Sequence, residues 1–294
     1  MNKQKIGQNT LMGVAVMVLA VFLMTLKDSL AKLTGGNYSP LLILWVQFVF
    51  MSAVYFPYLI WRYGPEILLP KPFLPQVMRG LAIVFAVSLF YRAIETTPLA
   101  DATATVFVAP LVVTAISPLF LSEHVGFRRW SAVIVGFFGV LLILRPDFDG
   151  GRQGYFMAFG TGLFLGFFYM LNRKLASAAP LLVSAAYSAY IGAIVLTPFV
   201  PFVWTPPQPQ DYSIIFWFLI ISTVGQTCLT TAFSLGEATF IAPFQFSQII
   251  GATFFGFIMF NDFPDRLTWA GIIIVIMCGV YITVRERKNA PSPA

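Results

Sequence analysis

A chain of 294 residues that is 58% hydrophobic and only 10% charged has too few ionised groups to cover a water-facing surface, since soluble domains carry about 25% charged residues. A mean hydropathy of +0.82 makes lipid the solvent for most of that surface. The net charge of +6 would point to nucleic acid in a soluble protein. In a membrane protein it is the ordinary excess of Lys and Arg on the cytoplasmic side, and no nucleic-acid partner is expected.

A bilayer core takes about 17–25 apolar residues per helix. In chain order such runs fall near 10–33, 39–61, 74–96, 99–121, 128–145, 154–175, 180–203, 212–235, 239–260 and 267–285. These are ten predicted spans of an all-α polytopic protein. The first follows Lys3 and Lys5 and starts at Leu11, as a signal peptide would. No small-residue cleavage signal precedes Lys27, and nine more runs follow, so it reads as span 1. Breaks stand at Gly35-Gly36-Asn37, Gly64-Pro65, Arg145-Pro146-Asp147 and Thr205-Pro206-Pro207-Gln208-Pro209. Thr96-Thr97-Pro98 and Gly236-Glu237 leave short turns. Spans 3–4 and 8–9 are therefore expected as close antiparallel hairpins. Trp61, Tyr63, Trp130, Trp204, Tyr212 and Trp269 fall near span ends, where interfacial belts place aromatic rings.

With the N-terminus inside, twelve of the eighteen Lys and Arg face the cytoplasm. That bias predicts both termini in the cytoplasm. A shift of 139 residues brings Ala93 onto Ala232, Phe107 onto Phe246, Thr114 onto Thr253, Trp130 onto Trp269 and Glu123 onto Asp262. The predicted halves are 1–147 and 148–294, each with five spans. An odd number inverts the second half relative to the first. Inverted repeats enclosing a midplane site are a plan of secondary transporters, and channels use them too. No phosphate-binding G-x-x-x-x-G-K-[ST] run is present. The lone His124 offers no metal set, and Cys228 and Cys278 no disulfide framework. No cofactor and no enzymatic nucleophile–base pair is expected.

Charges inside a bilayer cost about 2.5–3.5 kcal/mol on insertion scales, so those retained face a cavity or a partner. On span 1, Lys27 and Asp28 are candidates to meet a zwitterion, with Asp28 and Lys32 one turn apart as a competing pair. On span 3, Ser88, Arg92 and Glu95 share a face beside Tyr91. Arg92 suits a carboxylate ligand, or forms a clamp with Glu95. Asp101 is read as the cap of span 4. Phe107, Tyr169, Asn172, Gln226, Gln245 and Gln248 complete the candidate substrate-binding set. Amides also glue helices together. Gln245 and Gln248 are favoured over Gln47 because Pro243 beside them mirrors Pro110 on span 4, and paired Pro-broken spans mark transporter sites. His124 falls in a loop, so Asp28 or Glu95 would serve any proton coupling better. The glycines of Gly162-Leu163-Phe164-Leu165-Gly166 are read as a close-packing surface.

The stretch Arg79-Gly80-Leu81 through Tyr91-Arg92-Ala93, then Pro98-Leu99-Ala100-Asp101-Ala102-Thr103-Ala104, resembles the drug/metabolite transporter superfamily, EamA type. So do Pro110, the run Pro118-Leu119-Phe120-Leu121-Ser122-Glu123-His124-Val125-Gly126, Arg128-Arg129-Trp130, and Gly136-Phe137-Phe138-Gly139-Val140 through Arg145-Pro146. Many relatives carry Gly at the position of Ser122. The resemblance implies ten helices, two five-helix repeats, both termini inside and a small-molecule substrate. The chain is similar in particular to bacterial inner-membrane exporters of amino acids, aromatic ones included; it is expected to be a monomer or weak homodimer. An uptake carrier for a vitamin- or nucleoside-like metabolite and a flippase for a lipid-linked substrate remain the alternatives.

Overall fold

The computed structural model describes residues 3–69, 71–121, 126–145, 153–176, 178–236 and 238–289. Ser122, Glu123, His124, Pro146, Asp147 and Glu237 lie outside them. The described residues are helical throughout, with no strand among them. Nine helices are long and apolar enough to cross a membrane: Leu11–Thr34, Pro40–Tyr63, Phe73–Thr96, Leu99–Phe120, Phe127–Leu144, Gln153–Lys174, Leu181–Val203, Pro209–Leu235 and Ala242–Phe260. The tenth has a shorter apolar stretch, Arg266–Ile282, and continues as helix to Asn289. These are spans 1–10. Residues as large as Leu19, Phe85, Phe138, Phe216, Ile258 and Ile273 point outward. Such an apolar exterior belongs in lipid. Trp61, Tyr63, Trp204 and Tyr212 stand exposed at span ends, where the bilayer meets water.

The packing obeys an inverted two-fold relation. Span 1 lies on spans 8 and 9, and span 6 lies on spans 3 and 4. Spans 2 and 7, 4 and 9, and 5 and 10 pack on their own counterparts. Adding five to each number returns these same pairings. Neither half packs as a unit; each completes the other.

This corrects the expected hairpins. Spans 3 and 4 do turn tightly, with the Thr97 amide bonded to Ala93 O at 3.0 Å. Their main partner, however, is span 6, as span 1 is for span 8. Small residues account for the preference. A side chain at Gly166 would meet Val112 Cβ at 2.8 Å, so spans 4 and 6 approach at backbone distance. Spans 5 and 10 meet likewise through Gly139 and Gly271, where a Cβ on Gly271 would lie 2.6 Å from Gly139 O.

Spans 4 and 9 are both interrupted. Span 4 runs as Leu99–Val106, a turn at Phe107 and Val108, then Ala109–Leu121. Pro110 cannot donate to the carbonyl of Val106 and crowds it. The Phe107 and Val108 amides turn instead to Ala104 O and Thr105 O, at 3.2 and 3.1 Å. Span 9 opens with the 3-10 stretch Ala242–Phe246 around Pro243, before the helix Ser247–Phe260. Phe107 and Phe246, related by the 139-residue shift, stack with ring centroids 4.6 Å apart.

Candidate functional site

A cavity of about 630 Å³ runs into the bundle between the halves. That is within the range of sites for drug-sized ligands. Spans 1–4 and 6–9 contribute to its wall; spans 5 and 10 do not. Its mouth reaches exposed Arg173, Ala176 and Leu181, on the face where spans 1 and 10 begin and end the chain. Its floor holds buried Lys27, Asp28, Gln47 and Thr103. The wall between is largely apolar, with Phe48, Phe90, Phe107 and Phe168.

At the floor, Lys27 Nζ forms an ion pair with Asp28 Oδ1 at 2.6 Å. Nζ also donates to Tyr91 Oη at 3.0 Å and sits 5.1 Å from that ring's centre. The Tyr91 hydroxyl in turn donates a hydrogen bond to Gln47 Oε1 at 2.7 Å. A buried charge pair survives in low dielectric when hydrogen bonds hold it in this way. Asp28 lines the cavity, and among the described residues no donor besides Lys27 engages its carboxylate. The expected pairing of Asp28 with Lys32 does not form. Lys32 points toward the far face and bridges to Asp262 Oδ2 at 3.1 Å and Thr97 O at 2.9 Å.

The far face is closed by polar ties between the halves. Besides Lys32, Tyr38 donates to Asp211 Oδ2 at 2.7 Å. Arg145, at the end of span 5, pairs with Asp265, which also accepts from the Thr268 amide at 2.8 Å. The Arg145 guanidinium and that amide hold the Asp265 carboxyl well below the usual carboxylate range. Tyr155 of span 6 donates to Asp101 Oδ2 at 2.7 Å. Asp101 does stand in the first turn of span 4, but it makes no side-chain cap bond: its Oδ2 is taken by Tyr155 across the interface and its buried Oδ1 has no hydrogen-bond partner.

The other candidates divide by helix face. Phe107, Tyr169, Asn172, Gln226, Gln245 and Gln248 line the cavity. Tyr91 stands behind the wall and reaches it through Lys27 and Gln47. Ser88, Arg92 and Glu95 are off the wall. Arg92 is largely exposed and pairs with Glu95 one turn on, which is the clamp rather than the ligand-binding arrangement. Gln47, which the sequence sets below Gln245 and Gln248, lines the cavity with them, as do Thr103 and Ser188, which are outside the candidate set. Polarity in mid-span flagged Gln47; nothing in the chain marks which small hydroxyls face inward. Among the described residues no group of His, Cys, Asp or Glu is placed to hold a metal ion.

An all-helical, lipid-facing bundle whose inverted halves enclose a cavity sealed at one face is the architecture of a membrane carrier. The chain matches the EamA-like transporter family over residues 11–145 and 152–285. It belongs to that family, and is therefore a membrane transporter rather than an enzyme. It is 25% identical to an S-adenosylmethionine uptake transporter of Rickettsia prowazekii (strain Madrid E), covering 95% of each chain. It is 25% identical to a riboflavin transporter of Vibrio cholerae over 83% of each. It is 26% identical to a pseudopaline exporter of Pseudomonas aeruginosa, over 90% of this chain and 94% of the relative. One solved crystal structure superposes with a TM-score of 0.62 at 16% identity, covering 97% of this chain and 99% of the other. That likeness concerns the fold alone.

Proposed function

We propose that the protein exports amino acids, aromatic ones included, or related small metabolites by alternating access through this cavity. Its two halves are read as 1–147 and 148–294, and its setting as a bacterial inner membrane with both termini in the cytoplasm. The observation that carries the reading is the Lys27–Asp28 pair on the cavity floor beneath aromatic walls. A zwitterion complements such a pair, its carboxylate meeting Lys27 and its ammonium Asp28. An aromatic side chain then lies against Phe107 and Tyr169, with Asn172, Gln226, Gln245 and Gln248 supplying adaptable hydrogen bonds. The relatives named for S-adenosylmethionine favour the same chemistry, because that solute carries an α-amino acid end. Those relatives are uptake transporters, which favours the alternative in which this cavity discharges rather than loads at the terminal face.

The test is counterflow in proteoliposomes. Labelled L-phenylalanine should enter faster when unlabelled L-phenylalanine is trapped inside. A rate indifferent to trapped substrate would make the cavity a channel. A rate raised only by trapped vitamin or nucleoside would move the cargo to the alternative.

A further inference from the structure

Arg79 lies in the second turn of span 3 and is 1% exposed, one of the largest fully buried side chains. None of the described carboxylates pairs with it. Its Nη2 donates to the backbone carbonyl of Ser184 at 2.7 Å. Its Nη1 reaches Asn172 Oδ1 only at 3.4 Å, and its buried Nε has no hydrogen-bond partner. A guanidinium offers five N–H donors, so most of this one is unused. A buried cation without a counter-charge is costly, and such groups persist in membrane bundles where they serve a pathway. Both residues that Arg79 touches, Asn172 and Ser184, line the cavity. Arg79 itself is off the wall, and its two hydrogen-bond partners, Asn172 on a long and weak bond and Ser184 through its carbonyl, are the wall residues in front of it. Rotation of the Asn172 side chain would release Nη1 from that bond.

We propose that Arg79, screened by Asn172, is an oxyanion-binding point on the cavity wall that takes a carboxylate or phosphate group of the solute being carried. The proposal rests on this cavity being the transport path. The planar fork of Arg suits two oxygens of one anion. Arg79 and Tyr91 are twelve positions apart on one helix, roughly 18 Å of rise. An amino acid held at Lys27 does not reach that far. The cavity thus has two anion-recognising points, one at its floor and one nearer its mouth. A solute with one acidic group visits them in turn.

Thermal unfolding of the purified full chain, followed by Trp fluorescence, tests this with phenylacetate, phenyl phosphate and neutral phenylacetamide. One or both anions should raise the wild-type midpoint saturably, and phenylacetamide should not; the anion that protects at lower concentration identifies the preferred oxyanion. Lys27 is already neutralised by Asp28, so a simple acid without an ammonium reports Arg79: Arg79→Gln should lose the response and Arg79→Lys keep a weakened one. Asn172→Asp sets a fixed carboxylate beside the guanidinium. It should raise the midpoint without ligand and weaken the anion response about tenfold or more. Equal protection by phenylacetamide, or an undiminished anion response in Asn172→Asp, would reduce Arg79 to a strut between spans 3, 6 and 7. The Asn172→Asp arm holds even where Arg79→Gln does not fold. Because the probes are simple acids and the readout is stability, the outcome is separate from whether amino acids are the cargo.

Discussion

Lys27 and Asp28 are worth more together than the sum of two isolated charges. Removing one partner of a buried ion pair leaves the other uncompensated, at a cost of about 3–5 kcal/mol. Lys27→Ala should therefore lower the unfolding midpoint sharply, and adding Asp28→Ala should restore much of the loss. Counterflow should stay abolished in both, which separates the ligand role from the structural one. Asp265 gives a different kind of prediction. Its folded value lies below the ordinary carboxylate value of about 4. Its ionised form thus contributes stability at all pH values above about 4, and that contribution is lost as pH falls through the folded value. Wild type and Asp265→Asn should differ in stability by a constant amount from pH 5 to 7, with the difference shrinking below pH 4; an acid titration of Trp fluorescence reads it. At this scale the sequence spoke clearly where a residue was charged, because a charge inside a span demands a partner. It marked Arg79 merely as one more cytoplasmic cation and left Gln47 below Gln245 and Gln248, because an amide that glues helices and one that faces a solute look alike.

At the level of helices, the contact between spans 5 and 10 is the tightest test of packing. Gly271 has no room for a side chain: a Cβ there would also meet Ile143 Cγ1 at 2.7 Å. Overpacking of this kind costs about 1–3 kcal/mol. Gly271→Val should lower the midpoint accordingly, yet keep the counterflow rate per folded molecule, since neither span lines the cavity. The helices themselves were legible from apolar run length, and the interruptions in spans 4 and 9 from Pro110 and Pro243. Their partners were not. Short turns at Thr97-Pro98 suggested neighbours packed as hairpins, but turn length fixes only where two helices meet, while glycines such as Gly166 decide where they lie flush.

Across the whole molecule, the asymmetry of the cavity is the main result: open beside the termini, tied shut at the far face. Tyr38–Asp211 and Tyr155–Asp101 tie down buried acids, whereas Lys32–Asp262 and Arg145–Asp265 are partly exposed ion pairs worth only about 0–1 kcal/mol each. They are suited to being broken in a transport cycle. Lys32→Ala removes one of them, to Asp262, along with a bond to Thr97 O inside the first half. In a background with Cys228→Ser and Cys278→Ser, a Ser222→Cys probe on the cavity wall should then react faster with an impermeant maleimide applied from the far side, by about fivefold at most. No change would mean that other contacts hold that face closed. Parity and the 139-residue shift foretold the inverted halves; which face is open is a property of the packed state, and no residue pattern encodes it.

The stack of Phe107 on Phe246 has one more consequence. Rings related by the repeat and touching each other must straddle the pseudo-two-fold axis. An exchange of roles between the halves maps this contact onto itself, as it does the pairings of spans 2 and 7, 4 and 9, and 5 and 10. By symmetry the stack is expected to persist whichever face is open. A change made to both rings together, Phe107→Ala with Phe246→Ala, should alter the speed of interconversion and leave the balance between the two facing states where it was. A catalyst obeys that same rule for the two directions of a reaction, and the stack would be its conformational counterpart.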